Sequence, residues 1–132
     1  MSTKSFIINL PIITGDQDRR RLRKSFSFGC NLQNAVMGGG WDRVLKMRAT
    51  AEWQTARAMP KSSERTKAFR DLRVRFRLSE YDFHADVAMH RKASGRGHLL
   101  GINECQKLAS RAWISVERHL YNGGSPRFIS SR

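Results

Sequence analysis

Cys105, Leu108, Ala109, Ala112, Trp113, Val116 and Leu120 follow one another at i, i+3, i+4, i+7, i+8, i+11 and i+15. An α-helix gathers these positions on one face, and so apolar a face is stable only when other elements cover it. The spacing predicts a helix capped by Asn103 with Gln106 and ended by Gly123-Gly124, packed among further helices. Trp113, in the middle of the stripe, belongs to the core.

Helical patterning upstream supplies the neighbours. Asp16 stands where an N-cap would open a helix over 17–37, with Leu22, Phe26, Cys30, Val36 and Met37 near helical spacing. Gly38-Gly39-Gly40 follow, and each glycine costs about 1 kcal/mol inside a helix. They read as a break or weak hinge before a second apolar pattern at Trp41, Val44, Leu45 and Met47. Residues 49–59 favour helix up to Pro60. Ser62 or Ser63 can cap the next helix, whose stripe is Ala68, Phe69, Leu72 and Phe76. Ser79 with Asp82 resembles a capping box for a short helix through Phe83, Val87 and Ala88. Residues 90–98, HRKASGRGH, read as a basic loop.

Two segments look extended. Residues 6–13, FIINLPII, are β-branched and aromatic, and Pro11 confines such a strand to an edge or marks its end. The tail from Pro126 has the look of a second strand setting off. The expected fold is therefore mainly α: a helical bundle over 16–122, a single N-terminal strand within 1–15, and a strand start within 123–132.

Charge decides the function class. The chain has 132 residues, with 25 Lys and Arg against 11 Asp and Glu, a net charge of +14 and a pI near 11.2. Self-repulsion of that size points to a polyanionic partner, nucleic acid first and an anionic membrane surface second. No apolar run is long enough for a membrane span. Cys30 and Cys105 lie in apolar helical patterns, as buried free thiols do in a reducing cytoplasm.

No active site is legible. The acids are scattered, and the face shared by Asp82 and Asp86 reads as solvated. His84, His90, His98 and His119 lack metal-site spacing, and the glycines at 38–40 lack the Lys-Ser/Thr of a phosphate loop. No catalytic residue, metal or cofactor is expected. Basic runs on helices, by contrast, suit backbone phosphates. Arg20, Arg23 and Lys24 in DRRRLRK, and Arg70, Arg73 and Arg77 in the helix after Ser63, are the candidate nucleic-acid contacts. Trp41, Trp53 and Tyr81 suit either packing or stacking on bases.

RLRKSFSFGCNLQNAV after a segment ending in Leu10-Pro11, and QKLASRAWISVERHLYNGGSPRF near the end, are arranged as in one known family. The chain resembles the N-terminal part of TnpB (OrfB) proteins of insertion sequences, RNA-guided nucleases related to type V CRISPR effectors. The matching positions include Leu22, Ser27-Phe28-Gly29, Asn34, Gln106, Leu108, Ala109, Gly124 and Pro126-Arg127-Phe128. MPKSSERTKAFRDLRVRFRLSEYDFHA is similar to the middle of one subgroup. GGG and DVAMHRKASGRGH depart from the family's pattern.

The resemblance implies a recognition lobe inserted into a wedge-like barrel, with the chain stopping before the RuvC-like nuclease domain. It implies guide RNA and target DNA as partners, gripped by backbone and shape, in a transposition-related protein that is not an enzyme on its own. Two other expectations stand beside it. One is a standalone basic regulator that retains its own promoter DNA. The other is a lobe subunit that docks, through the strand at 6–13, to a separately encoded nuclease.

Overall fold

The computed structural model describes residues 15–129. Within them the chain is mainly helical: α1 (Asp16–Arg48), α2 (Ala51–Ala58), α3 (Ser63–Arg75), α4 (Glu80–Ser94) and α5 (Ile102–Glu117), with a 3-10 turn at Gly97–Leu99. α1, α4 and α5 pack on one another as a three-helix core. α2 and α3 pair as a hairpin after the C-terminal end of α1.

The core follows from the stripes. Cys105, Ala109, Ala112, Val116 and Leu120 of the C-terminal stripe are all buried, and Trp113 meets Phe83 edge-on at 5.3 Å. α1 contributes Phe28, Leu32, Val36, Met37, Val44 and Met47, and α4 contributes Phe83 and Val87. Cys30 and Cys105 are buried and unbridged.

The expected break at Gly38-Gly39-Gly40 is absent, and α1 runs through it as one 33-residue helix. Packing explains the correction. A Cβ on Gly40 would stand 2.1 Å from Cζ of Phe83, so α4 approaches α1 through the space a side chain would take. Gly38 faces Phe128, and Gly39 has room around it. The local cost of glycine is offset by core burial that the glycine permits.

Four helix ends differ from the sequence expectation. α1 is capped by Gly15, and Asp16 with Asp18 sits in the first turn, where acids complement the helix dipole. α4 continues through residues 90–94, expected as loop, to a left-handed Gly95 with φ 69°. α5 begins at Ile102 after Gly101, with no side-chain cap, and its regular turns stop at Glu117, so Leu120 is buried from a turn beyond the helix. Thr50, Ser62 and Ser79 cap α2, α3 and α4 through their hydroxyls.

The tail does not form a strand within the described residues; Pro126 is buried and the chain continues to Ile129 without regular structure. Asn34 holds it, its amide donating to the Ile129 carbonyl and accepting from the Ile129 N–H, both at 2.8 Å. The strand expected at 6–13 lies outside the described residues.

One polar cluster locks the bundle to the hairpin. Asp86, 4 % exposed, accepts from Arg43 at 2.7 Å and from Arg77 at 2.9 Å. Arg43 also donates to the carbonyls of Phe76 and Arg77. α3 ends in a Schellman arrangement: Leu78 N–H reaches the Arg73 carbonyl, Arg77 N–H reaches that of Val74, and Arg77 takes the left-handed position at φ 55°. Glycine normally fills that position, so arginine there carries strain of about 1–2 kcal/mol.

Candidate nucleic-acid interface

Arg19, Arg20, Arg21, Arg23 and Lys24 occupy exposed turns of α1. Cations in the early turns of a helix oppose its dipole, which an anion beside them would relieve. What they face is the link between α4 and α5. Gly95 turns the chain, and Arg91 then staples the link, donating to the Gly97 carbonyl at 2.7 Å and to that of Leu100 at 3.1 Å. Leu99 and Leu100 pack against the core. Arg96 and His98 are thereby held toward α1.

Two adjoining concavities result. One, of about 390 Å³, is lined by Arg23, Lys24, Ser27, Arg96, His98 and Leu99. The other, of about 610 Å³, is lined by Gln17, Arg20, Arg21, Lys24, His98 and Leu99. Among the described residues no carboxylate lines either one. Cations that repel one another are thus gathered from segments some seventy positions apart, an arrangement an anion stabilises.

The six candidates divide. Arg20, Arg23 and Lys24 share this surface. Arg70 is exposed on α3 with Lys67 one turn before it. Arg73 is half-buried, its Nε buried without a hydrogen bond among the described residues. Arg77 is committed to Asp86. For Arg96 and His98 the sequence signal was only the basic composition of 90–98, whereas Arg21 lies in the basic run DRRRLRK that already pointed to an anion. Arg43, which carries much of the Asp86 cluster, gave no signal at all.

Among the aromatics, Trp53 is buried and stacks on Tyr121 at 5.8 Å, with Phe69 edge-on to both. Trp41 lies under the Arg48 guanidinium and beside His119. Arg48 in turn donates to the carbonyls of His119 and Leu120, and burial, with Arg57 nearby, pulls its pKa down. These two tryptophans brace the fold. Tyr81 alone of the three stands free, at 83 % exposed.

One constellation has the residue types of an acyl-transfer site. Ser110 donates to Glu80 at 2.6 Å, and His84 Nε2 lies 2.9 Å from the same hydroxyl. A relay needs the acid on the other ring nitrogen. Here Glu80 is 3.7 Å from Nε2 itself, so the trio reads as a clasp between α4 and α5. Among the described residues no group of His, Cys, Asp or Glu is placed to hold a metal ion, and no helix is long and apolar enough to cross a membrane.

No protein-family model matches the chain, and comparisons with curated proteins and with solved structures gave no match either.

Proposed function

We propose that this chain is a nucleic-acid-binding helical lobe that grips the sugar–phosphate backbone and carries no active site of its own. The observation that supports it is the junction of Arg20, Arg21, Arg23 and Lys24 of α1 with Arg96 and His98 of the α4–α5 link, lined by no carboxylate among the described residues. Backbone contacts of this kind position a strand or duplex without reading its sequence. Within this proposal the resemblance to TnpB proteins supplies the biological setting: guide RNA and target DNA as ligands, in a lobe belonging to a larger wedge-like assembly.

Salt dependence tests it. Five permanent cations in the groove give a log–log slope of about −3.5 on single strands and about −4.5 on duplex. A slope near zero on both RNA and DNA overturns the proposal.

A further inference from the structure

The same turns of α1 border a second groove on their other side, between α1 and α5, of about 570 Å³. Its walls are apolar: Leu22, Phe26 and Cys30 from α1, Leu100 before α5, Leu108 within α5, and Ile129 from the tail. Leu22 and Phe26 are 61 % and 57 % exposed. Gly29 lies in the lining, where a Cβ would come within 3.2 Å of Leu100. Gln33, only 7 % exposed, also lines the groove, and among the described residues no hydrogen bond engages its amide.

Charge frames the opening. Lys107 and Arg111 of α5 stand on one rim, against the single acid Glu104. On α1, Arg19 precedes Leu22 by three residues and Asp18 precedes it by four, while Arg23, three before Phe26, is shared with the first groove.

We propose that this groove seats an unstacked nucleobase of a single strand, resting on the nucleic-acid reading above. The base lies against Phe26 and Leu22, its polar edge meets the Gln33 amide, and the flanking phosphates run along Arg19 and Arg23 on one side and Lys107 and Arg111 on the other. A slot for the base face, an amide for its edge and cations for its backbone are what single-strand recognition requires. A paired, stacked duplex base cannot enter. An apolar peptide would leave Lys107 and Arg111 unanswered.

The test uses the full chain and two probes of equal length and charge, an oligothymidylate and the same strand made abasic, read by fluorescence anisotropy. The expected result is about tenfold tighter binding of the thymidylate strand, the scale of one base on an aromatic platform. Phe26→Ala removes that preference and leaves the salt slope unchanged, and Phe26→Trp restores it. Phe26 is exposed enough for both variants to fold, which a thermal melt checks. Equal affinity of the parent chain for the two strands overturns the proposal. So does a Phe26→Ala loss accompanied by loss of a concentration-dependent dimer in sedimentation, which would make the groove a protein interface. If neither strand shows salt-dependent binding, the nucleic-acid reading itself has failed, a result distinct from equal affinity.

Discussion

Phe83 occupies the space beside Gly40 that a side chain would need, its Cζ 2.1 Å from the position of a Cβ. α1 and α4 meet there at the distance a bare backbone allows. The glycines of the Gly38-Gly39-Gly40 run therefore differ sharply in what a methyl group would do. Gly40→Ala forces Phe83 to move out of a fully buried position, and overpacking of this kind costs about 1–3 kcal/mol. Gly39→Ala meets nothing nearer than Arg43 at 3.8 Å, and gains about 0.5–1 kcal/mol from helix propensity. Urea midpoints of the two variants move in opposite directions from the parent.

Asp86 bonds Arg43 and Arg77 from a buried position. Asp86→Ala leaves Arg43 without its anion at 22 % side-chain exposure, and the expected loss is about 3 kcal/mol, the low end for a broken buried pair because Arg77 is half-exposed. Denaturant unfolding measures it.

Arg77 separates backbone strain from ion pairing. Arg77→Ala loses the bond to Asp86 and keeps the left-handed strain; Arg77→Gly loses the bond and relieves the strain. The glycine variant is more stable than the alanine variant by about 1 kcal/mol. Neither variant changes the salt slope of nucleic-acid binding, whereas Arg96→Ala lowers it by about one contact's worth and leaves the melting temperature near the parent's.

Alkaline pH weakens the fold. Burial raises the Cys105 thiol above its ordinary 9.0 and the Tyr121 phenol above its ordinary 10.0. The unfolded chain releases these protons before the folded chain does. Their contribution is therefore complete below about pH 9 and is lost as pH rises through the raised folded values. Urea midpoints decline between pH 8.5 and 10.5, and Tyr121→Phe flattens the upper part of that decline.

The C-terminal stripe was legible because helical period is a local property: Trp113 and Val116 point inward whatever covers them. The α3 and α4 caps were legible for the same reason, a hydroxyl reaching an N–H three residues on. The continuity of α1 was not, since the residue that makes Gly40 tolerable is Phe83, far along the chain. Leu22 and Phe26 fit the apolar spacing of α1 yet stand exposed, because periodicity marks a face and not the element that meets it. In the candidate interface, Arg20, Arg23 and Lys24 were recognisable as a basic run. Their pairing with Arg96 and His98 depends on Arg91 stapling a link whose path no local pattern encodes, and Arg77 was drawn inward by an aspartate expected to be solvated.

Because α1 is uninterrupted, it also works as a ruler. From Arg20 to Arg48, where the α2–α3 hairpin begins, the helix advances roughly 40 Å. That is the length of about twelve base pairs. A straight ligand shorter than this reaches either the Arg20 end of the helix or its Arg48 end, one at a time. Occupancy of both ends has a threshold in length that no change in affinity can remove.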